Sequence, residues 1–466
     1  MLSSLLLATL ATQSVVLAAT SASEPPESTI EPTLAAIQSA AATAVARSPV
    51  SNVKGAGFSR FYQIWLENTD YAAAAGNGDL EFLASQGIAL TNYWAVTHPS
   101  EPNYAASVGG DIFGMDNDEF HAIPKNISTV VDLLDTKGIA WGEYQEDIPY
   151  PGFQGFNYSN QQTFNNSYVR KHNPLMLYES VTSNSTRLSL IKGFDAFHSD
   201  VVNKTLPQWA FITPNMTNDA HDSNIGVAST WARNFLTPLL NNSYFMNDTL
   251  ILITFDEVET YTSGNKVYSI LLGGAIPTEL HGTTDNTFYN HYSTISTVSV
   301  NWGLPSLGRW DCEANVFEIV ANKTGYKNVQ VDTTHLYFNS SYPGPLSGKL
   351  YVPVWPAPLT KASCASGKGV LSSVVSTWNG TTPIYNYTNV YPYDAADNNN
   401  NGGTPTTGGS LSSSGTTSSG STSASGSSGS GTASSASSKA LAATHVPALG
   451  VAGVAGVAGA LVAAMI

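Results

Sequence analysis

Cysteine is nearly absent: the 466 residues contain two, Cys312 and Cys364. That excludes a cysteine-rich zinc module and a multiply bridged scaffold. In an oxidising compartment the simplest reading is one disulfide closing a loop of about fifty residues, worth roughly 3–4 kcal/mol. Charge is sparse too. Only 11% of residues are charged, and acidic residues outnumber basic ones 34 to 19, for a net −15. That balance argues against nucleic acid as a partner, because phosphate backbones are held by basic surfaces. No GxSxG, GxxxxGK[ST] or HExxH occurs. The nucleophile-elbow, P-loop and zincin frameworks therefore fall away. No internal repeat is visible.

Hydrophobic residues make up 42% of the chain, enough for one large core or two modest ones. Apolar runs alternate with helix-like segments. Strands are expected at 61–66, 88–96, 139–144, 208–212, 250–255 and 267–272, and helices at 80–85, 129–136, 227–240 and 292–302. This alternation predicts an α/β fold with a mainly parallel central sheet flanked by helices.

The two ends have a different composition. MLSSLLLATLATQSVVLAAT reads as a secretory signal peptide, residues 1–18, cut near Ala18. An N-terminal membrane anchor is the alternative. Residues 19–50 are polar and Ala-rich and are taken as a propeptide or N-terminal extension. The globular body is 51–393. Residues 394–440 form a stalk, almost only Ser, Gly, Thr and Ala from about Gly402 to Ser438, which cannot bury enough surface to fold. The tail, 441–466, is apolar from Val446 and has no charge after it, as in a GPI-anchor signal. A C-terminal transmembrane helix is the alternative. Attachment would fall within 429–438. Sequons at Asn126, Asn157, Asn165, Asn184, Asn203, Asn215, Asn241, Asn247, Asn322, Asn339, Asn379 and Asn386 fit a glycosylated, secreted protein, anchored at the cell surface or cell wall. Asn215 falls inside a candidate site loop, where a glycan would be awkward.

In parallel sheets the loops beyond strand C-termini carry the ligand site. Four polar clusters fall there. Asp256-Glu257 follows LILITF, and adjacent carboxylates beside a core call for a counter-charge such as a hard divalent cation. A solvated strand end is the plain alternative. Glu67-Asn68 ends the first strand and offers two more oxygen ligands, or else a helix cap. In THPSEPNYAASVGG, Ser100 stands where a helix could begin. Free N–H groups and the positive dipole end favour a phosphate there. A metal nearby would lower the hydroxyl's pKa, making Ser100 both nucleophile and ligand. It reads equally as an N-cap. Asn103 could donate to a phosphoryl oxygen. His221 in NDAHD and His291 in NHYST could bind metal, hold phosphate or protonate the leaving group. His98 could simply cap its turn. His121, His172, His198, His281, His335 and His445 have no supporting neighbours. A glycosidase pair of carboxylates would leave Ser100, Asn68 and the histidines unexplained.

These residues carry a resemblance. FYQIWLENTDY, THPSEPNYAASVGG, WGEYQEDIP, FITPNMTNDAHD, LILITFDE and NHYSTIST, in this order over 58–318, resemble the phosphoesterase family of bacterial phospholipase C and secreted, fungal-type acid phosphatases. The resemblance implies an alkaline phosphatase-like fold. It implies metal binding by Glu67, Asn68, Asp256 and Glu257, with the oxygen of Ser100, the nucleophile, also touching the metal. Asn103 would steady the phosphoryl oxygens, and His221 and His291 would contact phosphate. Relatives in the wider superfamily often use threonine and two zinc ions, and some carry Asp-Asp where this chain has Asp-Glu, so metal number and identity stay open. The expectation is a secreted, metal-dependent acid phosphatase acting on small phosphate esters. The alternatives are a phospholipase C-type phosphodiesterase and a non-catalytic cell-wall glycoprotein.

Overall fold

Strands without a polar face need covering on both sides, and the apolar runs of this chain receive it. The computed structural model describes residues 29–392 and 394. The strands are β1 (Arg60–Leu66), β2 (Ile88–Trp94), β3 (Trp141–Gln145), β4 (Asn157–Ser159), β5 (Asn166–Val169), β6 (Ile191–Lys192), β7 (Trp209–Thr213), β8 (Thr249–Phe255), β9 (Lys266–Leu272), β10 (Thr283–Asp285) and β11 (Tyr289–Asn290). The main sheet has the order β10-β2-β9-β8-β1-β7-β3-β6, with β11 also on β2. Every pairing in it is parallel except the two made by β9. All seven residues of β8 are buried, as are six of seven in β1 and in β9. Burial on both faces explains why these strands read as unbroken apolar runs. A mainly parallel α/β sheet was expected, and it is found.

The helices also fall close to their expected positions. Asn224 caps the helix Ile225–Leu240 by accepting from Gly226 N and Val227 N. At the helix Val130–Asp135 the Asp132 carboxylate accepts from Thr129 N, fixing the first turn. The expected strand at 88–96 ends at Trp94, and residues beyond it enter the loop that carries Ser100. The long gap between Gln145 and Trp209 holds the small antiparallel hairpin β4-β5, which the alternation pattern did not show.

Residues 29–50 lie along the body. They include the helix Leu34–Ala41, whose Ile37 is buried. Glu31 accepts from Ser159 N and Asn157 Nδ2 on the hairpin. The buried Lys192 ammonium donates to Arg47 O at 2.8 Å and pairs with Asp200 at 2.7 Å. Cys312 and Cys364 are joined, 52 residues apart in sequence. Of the twelve sequon asparagines, all but Asn157, Asn215 and Asn339 are exposed. No helix among the described residues is long and apolar enough to cross a membrane. The signal peptide, the tail and the stalk beyond Asp394 lie outside the described residues, as does the whole second unit, Ser410–Ile466. Asp394 itself, expected in the stalk, is buried and accepts from Tyr337 N and Phe338 N of the body.

Candidate active site

Because β1, β2, β7, β8 and β11 run the same way, their C-terminal ends share one rim of the sheet. Glu67 follows β1, the serine loop follows β2, residues 215–222 follow β7, Asp256 and Glu257 follow β8, and His291 follows β11. Ser100 is the first residue of the helix Ser100–Gly109, with Pro99 as its N-cap. Its hydroxyl makes no cap; it donates to Glu67 Oε2 at 3.1 Å. The Tyr104 hydroxyl, one helical turn on, donates to Glu67 Oε1. Glu67 and Ser100 are both at most 1% exposed. Serine and carboxylate, 33 residues apart in sequence, are thus in direct contact.

The loop is fixed by Asn103. Its Oδ1 accepts from Val96 N and Thr97 N, and its Nδ2 donates to Thr97 O and Pro99 O. Every hydrogen-bonding site of this side chain is occupied by backbone. The expectation that Asn103 reaches a phosphoryl oxygen is therefore replaced by a structural role, holding the turn that presents Ser100. His291 departs in a similar way. Its Nε2 meets Asp256 O at 2.6 Å, its Nδ1 lies 3.4 Å from the Tyr93 hydroxyl, and its ring packs on Trp65 at 4.3 Å. Burial pulls its pKa down to about 3. It is a neutral ring behind Asp256 that braces the β8 end, with both nitrogens engaged.

Asp256 stands against Ser100 and Glu67. Burial raises its pKa well above the ordinary range, the Glu67 and Glu257 charges add to that, and the Ser100 hydroxyl relieves part of it. That hydroxyl nevertheless points its hydrogen at Glu67, and neither Asp256 oxygen has a hydrogen-bond partner. Glu257 differs. His98 Nδ1 contacts its Oε2 at 2.6 Å and the Tyr261 hydroxyl donates to its Oε1 at 2.8 Å. Tyr261 also stacks on His98 at 3.8 Å. Both Glu257 oxygens are already satisfied, so Glu257 fits less well as a metal ligand than Asp256. His98, weighed as a plain turn residue, is its partner.

The structure adds residues that local pattern did not reveal. His172, judged to lack supporting neighbours, lies 3.3 Å from Glu67 Oε1 and 3.4 Å from Asp219 Oδ2. Burial, then the Lys171 and His221 charges, push its pKa well below normal. A neutral ring makes these contacts, so they are not ion pairs, and its Nε2 is left without a hydrogen-bond partner. His221 offers a nitrogen to the same place. Glu67, His172 and His221 can bring one ligand atom each within 4.8 Å of one another. Beyond His221 stands Lys171, with its ammonium 3.2 Å from His221 Nε2 and 2.9 Å from Asp118 Oδ2. Burial opposes that ammonium, but Asp118 and Glu67 outweigh burial and hold its pKa above the usual value.

A divalent cation fits this donor set. Both Asp256 oxygens, Asp219 Oδ2, Asn68 Oδ1 and His172 Nε2 are buried without partners. Burial raises the pKa of Glu67, Asp219 and Asp256 alike; the Glu67 charge adds to it at Asp219 and Asp256, and the Glu257 charge at Glu67 and Asp256. Unpaired buried carboxylates are costly unless neutralised, and a hard cation near Glu67, His172 and His221, whose ligand atoms meet, would offset that cost.

The family model described as the phosphoesterase family matches residues 74–305. An acid phosphatase of Aspergillus fumigatus is 64% identical over 84% of this chain and 87% of its own length. A phosphate-repressible acid phosphatase of Penicillium chrysogenum is 56% identical over 80% of this chain and 90% of its own length. Among solved structures, a protein in the alkaline phosphatase superfamily from Vibrio parahaemolyticus has 12% identity and a TM-score of 0.35, over 57% of this chain and 73% of that one. On the extent and identity of the first two matches, the chain belongs to the phosphoesterase family.

Proposed function

We propose that this chain is a secreted, metal-dependent acid phosphatase that hydrolyses phosphate monoesters through Ser100. One observation carries the reading: the Ser100 hydroxyl, at a helix N-terminus, donates to Glu67 beside an Asp256 carboxylate that nothing else satisfies. The bond to Glu67 uses only the hydroxyl hydrogen and leaves the oxygen lone pairs for phosphorus. Attack displaces the alcohol and leaves a phosphoserine, which water then hydrolyses. A cation held by Glu67, Asn68, Asp256 and, on this geometry, His172 and His221 would lower the serine pKa and neutralise charge building on the phosphoryl oxygens. Asn103 fixes the loop, and His291 braces the strand end behind Asp256.

The Lys171 ammonium acts on Glu67, Asp219 and Asp256 of this acidic cluster, and we assign it to the phosphoryl oxygens. Lys171→Met should weaken competitive inhibition by inorganic phosphate by about tenfold or more, the size of one charge-assisted hydrogen bond. Lys171→Arg should restore most of that. A phosphate Ki unchanged in the Met variant would remove the assignment.

The leader, the sequons, the stalk and the apolar tail support export, glycosylation and a GPI link at the cell surface or wall. Purified secreted protein assayed on an aryl phosphate beside phosphatidylcholine separates the phosphatase from the phosphodiesterase reading. Inertness toward both would favour the non-catalytic one.

A further inference from the structure

Next to His221 and Lys171 the surface opens into a cavity of about 400 Å³. Its far wall is apolar. Phe156, Val169 and the buried Met216 line it, and the amides of Asn157 and Asn166 form its rim. Phe156 is half-buried and continues a stack. Arg170 lies 4.3 Å over the Phe120 ring, and Phe120 faces Phe156 at 6.4 Å with nearly parallel planes. Thr29 closes the remaining side, and Glu31, two residues on, is fastened to Ser159 and Asn157 of the hairpin. The segment preceding the body is therefore part of a cavity wall.

We infer that this cavity is the subsite for the leaving group, and that it selects phosphate monoesters of aromatic alcohols over small aliphatic ones. The inference rests on the phosphatase reading of the adjoining site. The cavity adjoins that site through His221, which can reach Glu67 within 4.8 Å, and Glu67 holds Ser100 at 3.1 Å. In the proposed arrangement a phosphate at Ser100 would direct its ester oxygen past His221 and Lys171, which line the cavity. The group beyond that oxygen then meets Phe156, Val169 and Met216. The cavity size falls in the range of small-ligand sites. Offset stacking on Phe156 and sulfur contact with Met216 favour a planar ring. Asp118 at the mouth is paired with Lys171, so no free carboxylate repels a neutral ring there.

The test is a ratio of two substrates, p-nitrophenyl phosphate and glycerol 2-phosphate, on the full secreted chain in an Asn157→Gln background, because Asn157 heads a sequon in the cavity lining. Phe156→Ala should lower kcat/KM for the aryl ester by about tenfold, mainly through KM, and leave the glycerol ester within about twofold. Phe156→Tyr should keep wild-type values. Glu31→Ala, which frees the segment carrying Thr29, should shift the ratio in the same direction as Phe156→Ala. Equal losses on both substrates, or no change in the ratio, would overturn the subsite while wild-type activity leaves the phosphatase reading standing. Wild-type protein inert toward both esters would remove that reading and the subsite with it.

Discussion

Ser100→Ala should abolish turnover of phosphate monoesters, with kcat falling by about four orders of magnitude, while the fold survives. The size follows from chemistry: losing the nucleophile removes the covalent route, and only binding and charge stabilisation remain. Survival of the fold follows from the contacts. The Ser100 side chain contributes one hydrogen bond, to Glu67, and caps no helix. The loop is held instead by the four bonds of Asn103. Glu67 keeps its bond from Tyr104 in the variant. Rapid quench with radiolabelled phosphate should trap label on wild-type serine and none on the alanine variant. Appreciable steady-state activity in Ser100→Ala would end the serine mechanism.

The second large effect concerns the buried carboxylates. Asp256→Asn should cut bound metal in purified protein to a small fraction of the wild-type content, as read by elemental analysis, and turnover should fall with it. The metal-free wild-type protein should behave oddly with pH. Burial first, and then neighbouring carboxylate charges, raise the folded-state pKa of Glu67, Asp219 and Asp256. A raised carboxyl pKa means that the folded state prefers the protonated form. Its contribution is fully present below the ordinary carboxylate value near 4, and it is lost as pH rises from there through the folded pKa. The chelated protein should therefore melt on the order of 5 °C lower at pH 7 than at pH 4.5. Restoring the divalent ion should flatten that slope, and Asp256→Asn should flatten it without metal. A chelated wild-type protein whose melting temperature is flat or rises with pH would contradict this account of the cluster.

Much of this geometry was legible in sequence, for a physical reason. Parallel strands buried on both faces appear as continuous apolar runs, so the polar residues that end them stand out. LILITF followed by Asp256, and the first strand followed by Glu67, are such boundaries. One rim then follows from strand direction. His172 and Lys171 were missed because they follow β5 of a hairpin off the main sheet, on a short 3₁₀ turn with no periodicity. Only the closure of a long excursion brings them to Glu67. Tyr104 was within reach of pattern, since it lies one turn from Ser100 on the same helix. Asp219 sits inside NDAHD, but its neighbour His221 drew the functional reading. The roles of Asn103 and His291 turn on which atoms already have partners, and sequence does not record that.

The fastening of residues 31–48 across the hairpin and onto Lys192 bears on how the protein should be produced. Because Thr29 lines the same cavity as His221 and Lys171, a purification handle fused just upstream would emerge beside the proposed site. Such a handle would shade the opening and depress rates on bulky esters with every reactive side chain intact. Preparations meant for kinetic comparison are better processed to a native-like start, with any handle placed after residue 394.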